Sequence, residues 1–351
     1  MNEKALAFLE NSFLKPWLQQ DGITDISYNG ESLFFQHNRT GRQKAEVALT
    51  KEAVLDFIRQ VANLTEQLFS YACPILDVSV GPYRINAVHP AIGRKKYDRA
   101  VTFSLRIGHH STALLEHDET FMPLEVKNLL VALLRLDLSL VIAGKTGTGK
   151  TELQKFLLLH LPENARIIVL DNVQELEEVA NEESLDVTLW QTSGVVNEAS
   201  FGDLIRNALR SNPDWLIVAE ARGKEMIDVL NAAMTGHPVI TTLHSQDLLS
   251  MTSRMARMVL MGDEHLHYDE VLSDIHNHFP FLIFLERRVN SEGSVERFVQ
   301  AVAEIQKDSQ IRLLYEIKAE ETCYQALSQE RQQALIKAGI NSDGLERFWS
   351  L

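Results

Sequence analysis

Residues Leu6, Leu9, Phe13 and Leu14 form a helical stripe over residues 2–19, and Asp21-Gly22 closes it. The segments ITDISYNG and ESLFFQHN flank Asn29-Gly30, a strong local signal for a hairpin. Lys51 to Phe69 then reads as an amphipathic helix, while DVSVGPYRINAVHP and RAVTFSLRI alternate apolar and polar positions as half-buried strands do. From Pro123 the texture changes. A helix leads to the apolar run SLVIAG, a further helix TELQKFLLLHL, and then ARIIVLD, DWLIVAE and HPVITTLH. Short apolar strands separated by helical segments predict a parallel sheet covered on both faces. FPFLIFLERRV reads as one more strand with Arg287-Arg288 as its solvated end, and the tail after Asp308 reads as terminal helices. The expected division is an α+β domain at 1–110, a linker at 111–122 and an α/β domain at 123–351.

At 351 residues the chain exceeds one ordinary core, and 45% hydrophobic with 23% charged residues are globular values. Subtracting 48 acids from 34 bases leaves −14, which argues against passive coating of nucleic acid or anionic lipid. The charge is segregated. Asp171 to Asp186 is dense in acids, whereas Arg84, Arg94, Lys95, Lys96, Arg99 and Arg106 crowd the first domain; most such runs are solvated faces. Two distant cysteines, Cys73 and Cys323, build neither a zinc cluster nor a disulfide framework, which suits a reducing cytoplasm. The charged N-terminus lacks the apolar core of a secretory signal, and Lys127, Arg135 and Asp137 interrupt the most apolar long stretch, so no transmembrane segment is expected. His265, His267, His276 and His278 make two H-x-H pairs, but on a helix such residues diverge, so exposed polar positions are the better reading. Met251, Met255, Met258 and Met261 read as core or subunit packing.

GKTGTGKT at 144–151 satisfies G-x-x-x-x-G-K-[ST] between an apolar strand and a helix. Glycines Gly144, Gly147 and Gly149 let the backbone N–H groups of Lys145, Thr146 and Thr148 curl around a phosphate, and the helix adds its positive end. Lys150 neutralises the β- and γ-phosphates, and the Thr151 hydroxyl is placed to ligate Mg²⁺, so ATP and Mg²⁺ are the expected cofactors. Hydrolysis also needs carboxylates. Asp171 and Glu175 follow ARIIVLD, Glu220 follows DWLIVAE, and His244 ends VITTLH, all beyond the carboxyl ends of expected parallel strands.

These residues resemble the hexameric ATPases of type II and type IV secretion and of type IV pilus assembly. GKTGTGKT resembles the family's Walker A, LDNVQEL its acidic box, RNALRSNPDWLIVAEAR its extended Walker B, and AAMTGHPVITTLHS its histidine box. ITDISYNG is similar to the opening of the type IV secretion and tight-adherence pilus branch, and two cysteines leave no room for the four-cysteine zinc module of many other members. The resemblance implies a nucleotide-capping first domain, a RecA-like P-loop motor, a six-membered homo-oligomer, platform proteins of an inner membrane as partners, and a cytoplasmic position at that membrane's inner face. It also implies roles. Glu175 and Glu220 are both candidates to activate water, with Glu220 and Thr151 at the metal and Lys150 and His244 at the phosphates. Arg106, Arg210 and Arg222 are candidate nucleotide ligands, and Arg206 lies beside them. Two departures stand out: Asp171-Asn172 replaces the usual Glu-Asp, and Ala219 replaces a glycine, where a methyl group threatens close backbone approach. A weakly hydrolysing, nucleotide-gated scaffold and a DNA-translocating relative are the alternative functions; the acidic balance disfavours the latter, so stable nucleic-acid binding is not expected.

Overall fold

The computed structural model describes residues 2–38, 40–108, 119–172, 175–180, 185–192, 199–289, 295–318 and 321–349. Most of the expected linker, 111–118, lies outside them. Contacts divide the chain into two compact units. The first comprises Met1–His110 with Val173–Glu175 and Arg288–Glu296, and the second comprises the remainder.

The first unit is an antiparallel sheet with helices packed on it. Its strands are β1 (Ile23–Tyr28), β2 (Leu33–His37), β3 (Gly41–Lys44), β4 (Ile75–Val80), β5 (Tyr83–Val88), the two-residue β6 (Arg94–Lys95) and β7 (Asp98–Arg99), and β8 (Thr102–Ile107). Six of them are ordered β3-β2-β1-β8-β5-β4. The Asn29-Gly30 hairpin forms with a four-residue loop, since Tyr28 pairs with Leu33. Asn29 Oδ1 accepts from the N–H groups of Glu31 and Ser32, and Gly30 takes φ 91°. The expected helix over 2–19 is split into Asn2–Glu10 and Lys15–Leu18. Pro16 explains the break, because it has no N–H to continue the ladder and its ring crowds the carbonyl four residues back. The helix Lys51–Leu64 is capped by Thr50 Oγ1, which accepts from Ala53 N, and it ends five residues before Phe69 as Glu66 turns left-handed at φ 56°. Its Val54, Phe57, Ile58 and Val61 bury against Ile26, Ile85 and Leu105.

The second unit is built on a nine-stranded sheet ordered β11-β10-β12-β13-β9-β14-β15-β16-β17. These are β9 (Leu140–Gly144), β10 (Arg166–Leu170), β11 (Asp186–Trp190), β12 (Trp215–Val218), β13 (Val239–Leu243), β14 (Phe281–Val289), β15 (Val295–Ile305), β16 (Ile311–Lys318) and β17 (Glu321–Tyr324). Strands β9 to β14 pair in parallel, as a sheet buried on both faces requires. Alternate residues serve different cores. Leu140 and Ile142 pack with the helices Leu124–Leu134 and Lys150–Leu159, whereas Val141 and Ala143 pack with Phe201–Ala208, Met226–Met234, Ser250–Leu260 and Tyr268–His278. Met251, Met255 and Met258 are in the second of these cores, while Met261 is 62% exposed.

The tail corrects the expectation of terminal helices. After Asp308 the chain adds antiparallel β16 and β17 before the helix Gln329–Lys337. A register shift at Val302/Ala303 breaks strict alternation in this region, which removed the period that would have marked strands. β11 lies outside the strands that the apolar runs predict, because DVTLW is one short run beside the acidic stretch.

Ile142 is fully buried at the centre of the sheet. Ile142→Ala is expected to lower unfolding stability by about 2–5 kcal/mol, measured by chemical denaturation of the purified chain.

Candidate phosphate-loop site

Parallel strands deliver their following residues to one edge. β9 runs into Gly144–Thr151, β10 into Asp171, β12 into Ala219-Glu220, and β13 into His244. The loop is held open by its own bonds. Thr148 Oγ1 donates to Lys145 O at 2.9 Å, and Lys150 Nζ donates to the carbonyls of Gly144 at 3.1 Å and Lys145 at 3.2 Å. Gly149 stands at the N-cap of the helix Lys150–Leu159 with φ 95°, where a Cβ would lie 2.9 Å from the Phe121 ring. A side chain there would be strained twice, once by conformation and once by contact. Lys145, Thr146 and Gly147 are exposed, so the outer turn of the loop faces solvent.

Four side chains form a relay of charge beside this loop. Lys150 Nζ lies 3.4 Å from His244 Nδ1, His244 Nε2 lies 3.0 Å from Glu220 Oε1, and Arg222 Nη2 donates to Glu220 Oε2 at 2.9 Å. An ammonium only donates, so Nδ1 is the acceptor and Nε2 carries the imidazole proton. The contact from Nε2 is close but not aligned as a hydrogen bond, which leaves Glu220 Oε1 a buried acceptor without an aligned donor. Burial pushes the Glu220 carboxyl up, but His244 and Arg222 outweigh it and hold the group down at about 2.

Other expected residues are placed differently. Asp171 is fully buried and accepts from Leu176 N at 3.0 Å, so one of its roles is to close the turn after β10. Asn172 Oδ1 accepts from Thr192 N and Oγ1, tying the ends of β10 and β11. Glu175 packs in the first unit, where its Oε1 is 3.7 Å from Arg106 Nη1, and Arg106 Nε also donates to Asp25 at 3.3 Å. Arg206 joins Asp203 and Asp228 at 2.5 Å each, linking two helices. The structure does not bring Arg210 to the phosphate loop. It lies on the segment entering β12, where Asp214 N bonds the carbonyl of Arg166 at the start of β10. That is the amino edge of the sheet, a strand length of roughly 13 Å from the loop's edge. Ala219 causes no crowding of its own backbone: its φ is not positive, its N–H donates to Leu170 O, and its carbonyl accepts from Thr242 Oγ1.

Three residues near the loop were not expected. Gln154, fully buried, donates Nε2 to Val218 O at 3.1 Å and Ile240 O at 3.3 Å, fastening the loop's helix to the strands that carry Glu220 and His244. A lone amide among the apolar residues of TELQKFLLLHL was the available signal. Arg297 Nε donates to Gly147 O at 2.8 Å across 150 residues of sequence, and Arg287 also reaches the loop. Arg287 and Arg288 are exposed, as a solvated strand end predicts; Arg287 also stands over Gly147, while Arg288 pairs with Glu296 at 2.7 Å. Among the described residues no group of three or more His, Cys, Asp or Glu is placed to hold a metal ion, the H-x-H pairs included.

Residues 96–338, more than half the chain, match the family model described as type II/IV secretion system protein. The chain belongs to this family. It is 31% identical over 291 residues to an uncharacterized protein of Bacillus anthracis, covering 81% of this chain but only 64% of that relative's length. It is 27% identical over 279 residues to the type IV secretion system protein VirB11 of Brucella suis biovar 1, covering 71% of this chain and 76% of the relative. Among solved structures it is similar to the Legionella pneumophila ATPase DotB, with a TM-score of 0.59, 22% identity, and 88% of this chain and 80% of that chain covered. It is also similar to the pilus retraction motor PilT with bound ADP, at a TM-score of 0.56, 20% identity, and 89% and 83% coverage. At such identities the likeness is one of fold: a RecA-like P-loop domain with a mostly parallel sheet, preceded by a smaller α+β domain, as the motifs implied. Among the described residues no helix is long and apolar enough to cross a membrane.

The ion pair at Glu220 makes a prediction about acid stability. A carboxyl with a depressed folded pKa stabilises the fold fully above its unfolded value, about 4.3, and loses that contribution as pH falls through the folded value. Arg222→Ala is therefore expected to lower Tm at pH 7, and the gap from the unmodified chain is expected to close between pH 4.5 and about 2 in a series of thermal melts.

Proposed function

We propose that this chain is a magnesium-dependent ATPase that works as a ring-shaped homo-oligomer, with six subunits by family resemblance. In this reading it powers protein secretion or type IV pilus assembly at a membrane platform on the cytoplasmic side. The observation that carries the reading is the sequence of contacts Lys150–His244–Glu220–Arg222 alongside a glycine-shaped phosphate loop. The residues present fit the nucleotide and its metal. Glu220 Oε1 is a buried acceptor with no aligned donor, and the loop holds its exposed turn toward solvent. The backbone N–H groups of Lys145 to Thr151 and the Lys150 ammonium would hold the phosphates, with Thr151 and Glu220 at the magnesium shell. Bound magnesium supplies charge neutralisation at the phosphate oxygens.

The two candidate carboxylates divide the work. Both Glu220 oxygens face cationic or N–H partners, Arg222 Nη2 at 2.9 Å and His244 Nε2 at 3.0 Å, so in this reading Glu220 serves by charge and orientation. By family resemblance alone, Glu175, at the acidic-box position, takes the water-orienting role. His244 couples Glu220 to Lys150, so a change of charge at the phosphates is felt at the Walker B carboxylate. The altered acidic box, with Asp171 and the neutral Asn172 in place of the usual Glu-Asp, favours a second reading, a nucleotide-gated scaffold that hydrolyses slowly.

Lys150→Ala is expected to abolish nucleotide binding and magnesium-dependent phosphate release, and unchanged turnover would defeat the assignment. Glu175→Gln is expected to retain ATP binding while losing at least about a hundredfold in phosphate release. Rates of the unmodified chain that stay near the Glu175→Gln level even with membrane partners added would favour the scaffold.

A further inference from the structure

Two guanidinium groups from neighbouring strands converge on one glycine of the phosphate loop. β14 lies beside β9, with Leu285 opposite Gly144, and continues past that point while β9 turns into the loop. This overhang carries Arg287, whose Nη1 would lie only 3.2 Å from a Cβ built on Gly147, the sole close neighbour at that position among the described residues. From β15, Arg297 donates Nε to Gly147 O at 2.8 Å. A trans peptide is planar, with its C=O and N–H on opposite sides, so holding Gly147 O toward Arg297 aims the Thr148 N–H the other way. Arg297 thus sets the direction of one phosphate-binding donor.

Two like charges lie close together at the loop. Burial and the like charge of Arg287 both work against the charged form of Arg297. Among the described residues Arg287 makes no ion pair, although the chain carries 48 acids. Like charges brought together at a loop shaped for phosphate gain most from the ligand with the most negative charge.

We propose that Arg287 is a phosphate-contacting residue that favours a nucleoside triphosphate over a diphosphate, and that Arg297 is the positioning residue that orients the Gly147–Thr148 peptide for either ligand. The inference rests on the nucleotide-binding reading above and adds to it the basis of triphosphate preference.

The test is equilibrium binding of fluorescent ADP and of a fluorescent non-hydrolysable ATP analogue to the full chain with magnesium. Arg287→Ala and Arg287→Gln are each expected to weaken the ATP analogue about tenfold and ADP by less than about threefold, whereas Arg287→Lys keeps most of the preference. Arg297→Ala is expected to weaken both nucleotides by a similar factor, which separates loop positioning from charge selection. An unchanged ratio of the two affinities in Arg287→Ala and Arg287→Gln would overturn the proposal while leaving nucleotide binding intact. Wild-type binding by Lys150→Ala would overturn the parent reading and this one together. Thermal melts and the two Arg287 replacements of different size keep the result independent of any one variant's stability.

Discussion

A parallel sheet buried on both faces has no place for polar chemistry except the ends of its strands. In the second unit alternate residues of β9 and β10 enter opposite cores, so a charged side chain at any of these positions would be desolvated without a partner. The chain therefore keeps charged residues out of the buried positions of β9, β10, β12 and β13, ends β9 on Gly144, and places Asp171, Glu220 and His244 just past the ends of the other three. One constraint, full burial of the sheet, is what gathers residues from four separate segments at one edge.

Once gathered, these residues control one another's charge. Glu220 is mostly buried, a position that would ordinarily favour its neutral form, yet Arg222 and His244 hold it ionised. His244 faces Lys150 through its other nitrogen, so the loop lysine and the Walker B carboxylate share a single imidazole. Gln154 adds a mechanical link, because the helix that begins at the loop is bonded to the carbonyls of β12 and β13. A displacement of the loop is thereby coupled to the strands that carry its chemical partners.

The departures from the family pattern have structural accounts. Asn172 uses its carbonyl oxygen to accept from Thr192, a bond that does not need a charge. Ala219 sits in ordinary backbone geometry with both backbone groups bonded, and its methyl packs at the edge of a core cluster. Neither substitution disturbs the contacts of Glu220.

Much of this was legible along the chain, for identifiable reasons. The glycine spacing of 144–151, the apolar strands ARIIVLD and DWLIVAE, and the Asn29-Gly30 hairpin are local signals, since each depends on residues a few positions apart. Together they determined the α/β class, the phosphate loop and the carboxyl-edge candidates Glu220 and His244. Only the tertiary structure decided which other residues join them. Arg297 meets Gly147 from 150 residues away, Arg287 turns out to stand over the loop, and Arg210 is carried to the opposite edge. Those outcomes depend on strand order and register, and a parallel sheet sets both through long-range pairing that no local pattern of residues encodes.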